Sequence, residues 1–375
     1  MNQNQNRNQK QKQKMKAKNK FKRIAIKIGS NVLAQADGAL NESRIAHLVE
    51  QISTIKKMGT DVIVISSGAV AAGRSQVAVS KKTELVAAKQ LWAAVGQVKL
   101  MSLYTQLFGN QQLQCAQVLT TKENFSDRRH YLNMKNCITT MLDNNVIPIV
   151  NENDTISVTE LMFTDNDELS GLIASMMNCD SLFILSNIDG VFTGAPDKAD
   201  SELIREINAD FSSLQKYIAP TKSGFGRGGM LTKCSIATKI ASEGINVYIA
   251  NGTKDNILLD IIGNRIKDFT HFVPQSKTTS VKKWLAHSQS FAKGYVTVNQ
   301  GAAEALLGTQ PTSLLFIGIV SVDGSFEKGD IVGILGPDGE KIGIGKAMYD
   351  SATAAEMIGK KQRRPFVHYD YLVLN

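Results

Sequence analysis

Between Phe21 and about residue 250, short runs rich in Val, Ile and Leu alternate with longer segments whose apolar residues recur at helical spacing. Strands are expected at 23–28, 61–65, 115–119, 146–150, 182–185 and 246–250. Ile45, Leu48, Val49, Ile52, Ile55 and Met58 mark one face of a helix, and Leu91, Val95, Val98, Leu103 and Leu107 continue a longer helical region. Further helices are expected near 128–145, 168–178 and 231–243. Strands that alternate with helices in this way pair in parallel, each crossover laying a helix on the sheet. The expected fold class is therefore α/β, with an open, mostly parallel sheet sandwiched by helices.

In such sheets ligands bind beyond the carboxyl ends of the strands. Lys27-Ile28-Gly29-Ser30, Ser66-Ser67-Gly68, Asn151-Glu152-Asn153-Asp154 and Ser186-Asn187 each follow an apolar run, so these segments should converge on one edge. The stretch 147–171 is the densest of them. After Asn151–Asp154 a second polar run, Asp165, Asn166, Asp167 and Glu168, opens the periodic segment Leu169, Leu172, Ile173, Met176 and Met177, where acidic residues suit a helix start. Asp167 reads either as a helix-capping carboxylate or as part of a site. The glycine-rich stretch 223–233 precedes another helix, so its backbone N–H groups and Lys233 could face phosphates.

Two familiar patterns fail on inspection. Gly68 to Ser75 matches GxxxxGK[ST] except that Arg74 replaces the lysine, and its four inner residues are helix formers. Gly224 to Gly229 matches GxGxxG, but no strand precedes it and the first strand-to-helix turn has only Gly29. The five histidines lie outside the converging segments and read as structural or solvated. Cys115, Cys137, Cys179 and Cys234 form no metal-binding spacing and read as buried free thiols. No apolar run reaches the roughly 20 residues a membrane helix needs, so a cytoplasmic protein with no membrane partner is expected.

The net charge of +9 on 375 residues would suggest nucleic-acid binding if it were spread over the fold. Instead, residues 1–20 hold seven of the positive charges and no acid, leaving +2 for the rest. That segment, built from Asn, Gln and Lys, is expected to be a disordered basic tail.

KIGSNVL at 27–33, VISSGAVAAGR at 64–74, NENDT at 151–155, FTDNDELS at 163–170, SNIDGVFT at 186–193 and SGFGRGGMLTK at 223–233 together resemble the glutamate 5-kinase family of the amino-acid kinase superfamily. The resemblance implies ATP-dependent phosphorylation of the γ-carboxylate of L-glutamate to L-glutamyl 5-phosphate, the opening step of proline biosynthesis, with Mg²⁺. It implies that Lys27 and Lys233 stabilise the transferring phosphoryl group and that Asp167 holds those lysines. By the same resemblance Ser67, Gly68, Asn151, Asp154 and Asn166 bind glutamate. Lys27, Gly29, Ser186, Asn187, Gly228, Gly229, Met230 and Lys233 contact the nucleotide, and no side chain is assigned as a metal ligand. The family more often has Thr-Asp at Ser186-Asn187 and a lysine near Met162. Homo-oligomerisation and feedback inhibition by proline belong to the same implied picture.

Beyond residue 275 short strands are expected at 294–298, 313–322, 329–335 and 341–347, separated by turn signals such as Asp323-Gly324 and Pro337-Asp338-Gly339, with a helix at 350–364. This part resembles the PUA domain, a small β-rich barrel that binds RNA in other proteins. Residues 277–360 carry eight Lys/Arg and eight Asp/Glu, a weak footprint for nucleic acid. The expected division is a tail at 1–20, a kinase domain at 21–270, a PUA-like domain at 277–362 and a C-terminal extension at 363–375. The alternative function is an RNA-binding protein that uses the tail and the PUA-like domain, with a non-catalytic α/β scaffold.

Overall fold

The computed structural model describes residues 21–35, 38–156, 163, 165–195, 200–208, 229–275, 292–308, 310–362 and 364–374. The basic tail, Met162 and the glycine-rich residues 223–228 lie outside them, so the expectations placed there are not addressed. The chain divides into two compact units, one running to Lys277 and the other from Thr278 onward, with Phe125–Tyr131 grouped with the second.

The first unit is built on β1 (Arg23–Ile28), β2 (Asp61–Ser66), β3 (Gln114–Thr120), β4 (Val146–Glu152), β5 (Ser181–Ser186), the two-residue strands β6 (Val191–Phe192), β7 (Leu203–Ile204) and β8 (Glu206–Ile207), β9 (Asn246–Asn251) and β10 (Thr270–Phe272). Eight of these form one sheet in the order β3-β4-β2-β1-β5-β9-β10-β8. From β3 to β9 every neighbouring pair is parallel, and β10 turns antiparallel against β9. The chain starts at the centre with β1, builds β2, β4 and β3 to one side and then crosses to β5 on the other. That reversal makes the carboxyl ends of β4, β2, β1 and β5 adjacent, the crevice where open α/β sheets take ligands.

β1 is central because both of its faces are apolar. Ile24, Ile26 and Ile28 are fully buried with the helices Glu42–Lys57, Leu85–Asn110 and Ile257–Ile262 on one face of the sheet. Side chains alternate across a strand, so Ala25 and Lys27 point to the opposite face. There the helices Asn166–Met176 and Met230–Ser242 lie against the strands and against each other. A lysine in a buried strand thus faces two helix starts.

The helix Leu85–Asn110 buries Ala93, Gly96, Gln97, Leu100, Tyr104 and Phe108. The apolar residues that marked it in the sequence are not its buried stripe, since Leu91 and Val98 stay exposed. Gly96 explains the choice. A Cβ there would overlap the Ala69 carbonyl oxygen, so only glycine lets this helix lie directly on the short helix Ala69–Arg74. Gly73 serves the same crossing against the Trp92 carbonyl, while Gly68 has a positive φ as the N-cap, which gives each glycine of the GxxxxG pattern a structural use.

The second unit holds a five-stranded mixed sheet in the order β12-β11-β13-β14-β15, where β11 is Gly294–Val298, β12 Ile319–Gly324, β13 Ile331–Leu335, β14 Lys341–Lys346 and β15 Leu372–Leu374. Val296, Val298, Phe316, Val332, Ile334, Ile344 and Phe366 are fully buried in it. Two expectations need correction. Residues 313–322 are not one strand, because the 3₁₀ turn Phe316–Gly318 interrupts them, and the helix expected at 350–364 ends at Glu356. The cysteine reading is half right: Cys179 and Cys234 are buried free thiols, Cys115 is half-buried and Cys137 is exposed. No helix among the described residues is long and apolar enough to cross a membrane.

Candidate active site

The site starts from a helix that begins with three acids and an amide. Asp165 is its N-cap, and its Oδ1 accepts from the backbone N–H groups of Asp167 at 2.8 Å and Glu168 at 3.2 Å. Capping therefore falls to Asp165, and Asp167 is released from that duty to point into the protein. Gly171, one turn below Asp167, is where a Cβ would press on Ile236 and Ile240 of the Met230–Ser242 helix. Ile236 and Ile240 share a helix face with Lys233, so the contact that docks the two helices sets Lys233 opposite Asp167.

Asp167 is completely buried, and both its oxygens carry an ammonium: Lys27 on Oδ1, and Lys233 on Oδ2 at 2.9 Å. Burial works to raise its pKa, but the two lysine charges outweigh it and hold the carboxyl at about 2. Asp165 moves the other way. Burial and then the neighbouring Asp167 charge push it up to about 6, against a smaller pull from the lysines. Two carboxyls two residues apart thus differ in proton affinity because only one holds the ammonium pair.

A chain of amides lies beside this triad. Asn166 Nδ2 donates to the Ser66 carbonyl at 3.1 Å, to Ser67 Oγ at 3.0 Å and to Asn151 Oδ1 at 3.1 Å. Asn151 Oδ1 also accepts from the Glu152 N–H at 2.9 Å, and Asn151 Nδ2 donates to Gln97 Oε1 at 3.0 Å. Tyr104, two turns further along the same helix face as Gln97, shares a 2.9 Å hydrogen bond with Ser66 Oγ. Burial raises the Tyr104 phenol to about 12, so it stays protonated. Gly68 caps the following short helix at φ +100°, and Asp154 sits half-buried in the turn after β4.

On the other side of β1, the Gly29 N–H donates to the Leu185 carbonyl at 3.0 Å. Ser186 is buried at the end of β5, its hydroxyl 3.4 Å from Asn187 Oδ1, while Asn187 is exposed. Gly229 is the N-cap of the Met230–Ser242 helix and gives it no side-chain cap, so the helix that Met230 opens has leading N–H groups with no cap side chain among the described residues. Gly228 lies outside the described residues.

Lys27, Asp167 and Lys233 are thus brought together as one ion cluster, and Ser67, Asn151 and Asn166 as one hydrogen-bonded group. Gly29, Ser186, Gly229 and Met230 lie at the ends of elements bordering the first. Gln97 and Tyr104 were not singled out from the sequence, and Asp165 stood there only as one of the four polar residues that open the helix, with no role of its own. Gln97 left a trace as an amide in the otherwise apolar stretch AAVGQV.

Residues 22–251 match the amino acid kinase family and residues 294–366 match the PUA domain. A glutamate 5-kinase of Bacteroides thetaiotaomicron is 55% identical over 94% of this chain and 99% of its own length. A glutamate 5-kinase of Chlorobaculum tepidum is 45% identical over 94% of this chain and 98% of its own. In fold, a carbamate kinase from Giardia lamblia bound to AMP-PNP superposes with a TM-score of 0.51 at 18% identity, covering 68% of this chain and all of that one. By these matches, over nearly its whole length, the chain belongs to the glutamate 5-kinases of the amino acid kinase family.

Proposed function

We propose that the protein transfers the γ-phosphoryl group of ATP to the γ-carboxylate of L-glutamate, producing L-glutamyl 5-phosphate for proline biosynthesis. The observation that carries this reading is the pair of ammonium groups on one fully buried carboxylate, beside an amide cluster at the switch point of the sheet. A carboxylate acceptor is already ionised at neutral pH, so the reaction needs no general base. One γ-carboxylate oxygen forms the new bond to the γ-phosphorus, the bond from phosphorus to the β–γ bridging oxygen breaks, and that oxygen leaves with ADP. Catalysis then consists of alignment and of neutralising the charge on the transferring group.

Lys27 and Lys233 supply that positive charge from opposite elements, a strand end and a helix start. Asp167 keeps both ammonium groups fixed, and the lysine charges that lower its pKa make it a weak proton acceptor. Ser67, Gly68, Asn151, Asp154 and Asn166 form the glutamate side. Gly29, Ser186, Asn187, Gly228, Gly229 and Met230 form the nucleotide side, where the uncapped helix start suits phosphate. A Cβ at Gly29 would come within 2.9 Å of the Leu185 carbonyl oxygen, so glycine lets the end of β1 lie close against the end of β5 there. The described residues offer no cluster of three metal-ligating side chains, so Mg²⁺ fits as an ion carried on the phosphates. Asp165 Oδ2, buried without an N–H or O–H donor among the described residues, is the protein oxygen suited to it. When bound, the ion neutralises phosphate charge.

The domain division at 21–270 and 277–362, a cytoplasmic location, homo-oligomerisation and inhibition by proline are parts of the same proposal. No observation favours the RNA-binding alternative. The test is ADP release from ATP and Mg²⁺ with and without L-glutamate, with hydroxylamine present to trap acyl phosphate. Glutamate-dependent ADP release with an equal yield of hydroxamate is expected, and ADP release indifferent to glutamate would overturn the reading.

A further inference from the structure

The amide chain beside the lysine pair ends in a donor with no partner among the described residues. Gln97 is 8% exposed, and its Nε2 is buried with no hydrogen-bond partner among the described residues. Backbone groups of fixed hydrogen-bonding sense set the orientation of each amide in the chain. The Ser66 carbonyl can only accept, so Asn166 must present Nδ2 to it. The Glu152 N–H can only donate, so Asn151 must present Oδ1 to it and Nδ2 to Gln97. Gln97 therefore offers Oε1 to Asn151 and is left with its NH₂ group pointing elsewhere. A buried donor left empty is costly, and buried polar groups are satisfied in the great majority of cases.

The neighbours of that donor indicate what fills it. Gly96 brings the helix onto Ala69, so Gln97 is the residue next to the crossing with the short helix that follows Ser67 and Gly68. Asn151, its direct partner, is bonded to Asn166, and Asn166 to Ser67. We propose that Gln97 Nε2 donates a hydrogen bond to a carboxylate oxygen of the bound amino acid, making Gln97 a specificity-determining residue for an acidic acceptor. The inference rests on the glutamate reading above and deepens it. In this arrangement Oε1 orients Asn151 while the NH₂ group selects an acceptor atom on the ligand. A site that presents a buried donor rejects ligands lacking the matching acceptor more strongly than an apolar site can.

Gln97→Glu separates the two duties. It keeps an oxygen for Asn151 Nδ2 and replaces the donor with a second acceptor that repels a carboxylate. Loss of a hydrogen bond to a charged group typically costs about 10- to 100-fold in affinity. The glutamate KM of Gln97→Glu should accordingly rise at least about 10-fold, with the ATP KM near that of the parent, and glutamate should no longer raise the melting temperature at concentrations that saturate the parent. Should Gln97→Glu not yield folded protein, Gln97→Met, which removes the donor without adding charge, should raise the glutamate KM by about 10-fold. A glutamate KM within about threefold of the parent in either folded variant would overturn the proposal while leaving the kinase reading intact. A parent enzyme that forms no glutamate-dependent acyl phosphate would overturn both.

Discussion

Replacing Lys233 by methionine keeps most of the side-chain volume and deletes one of the two charges on Asp167. The side chain is 12% exposed and its ammonium lies 2.9 Å from a carboxylate that is completely buried, so the substitution acts inside the site. Asp167 keeps Lys27 on Oδ1, and Oδ2 is left without an ammonium, which should cost about 1–3 kcal/mol of stability as an orphaned buried acceptor. The larger effect falls on turnover. An electrostatic donor that meets charge as it develops typically contributes on the order of 10²–10³ in kcat, or about 2.7–4 kcal/mol of transition-state stabilisation. Substrate KM values should move much less, because the ground-state phosphate and carboxylate retain their other contacts. Lys27→Met should behave alike. If Asp167 holds the two ammonium groups as one unit, the double variant should fall to roughly 10³ below the parent, well short of the roughly 10⁵ expected from independent sites. Steady-state kinetics on variants whose circular dichroism matches the parent decides the matter. A Lys233→Met enzyme with kcat within about threefold of the parent, or fully multiplicative losses in the double variant, would refute the reasoning.

Asp165→Asn should stabilise the protein by about 1–3 kcal/mol above pH 6, since Asn caps a helix as well as Asp and the penalty tied to a pKa raised from 3.8 to about 6 disappears. The sign follows from the folded state binding the proton more tightly than the unfolded one. The gain should shrink as pH falls from 6 to 4, and urea midpoints measured across that window would expose a constant difference if the reasoning fails. Gly96→Ala should lower stability by about 2 kcal/mol or more and weaken glutamate binding more than ATP binding, because the Cβ forces the Leu85–Asn110 helix off Ala69. Equal effects on the two KM values would show that the crossing does not set the glutamate side. A chain ending at Gln275 should retain measurable kinase activity, since every residue assigned to the reaction lies before it. Complete loss in a folded truncation would assign part of the site to the second unit.

Much of the site was legible because its residues follow from strand and helix periodicity. Lys27 stands at a carboxyl strand end in a run whose even positions are apolar, and NENDT and TDND interrupt apolar patterns where a buried acid has no packing use. What resisted reading was decided by single-residue offsets and by tertiary contacts. Whether Asp165 or Asp167 caps the helix turns on where its first residue falls, and only the cap assignment frees Asp167 for the lysines. Gln97 was hidden because the buried stripe of its helix is set by the glycine crossing at Ala69, which leaves Leu91 and Val98 in solvent and takes an amide inside. The strands β6, β7 and β8 have two residues each, too few to show any period. In the second unit the run 313–322 has strand composition throughout. It breaks at Gly318, whose missing Cβ leaves room for Ala302 of a helix, Gln300–Leu307, that its glycine and alanines had concealed.

The central claim is that this site phosphorylates the side-chain carboxylate of glutamate. The most direct measurement incubates the purified protein with ATP, Mg²⁺ and hydroxylamine in the presence of L-glutamate, L-aspartate, N-acetyl-L-glutamate or carbamate in turn, and identifies the trapped hydroxamates by mass spectrometry. The account predicts γ-glutamyl hydroxamate from L-glutamate in amounts matching the ADP formed, with the other acceptors giving little. Equal or greater product from aspartate, acetylglutamate or carbamate, or ADP with no hydroxamate from any of them, would contradict it.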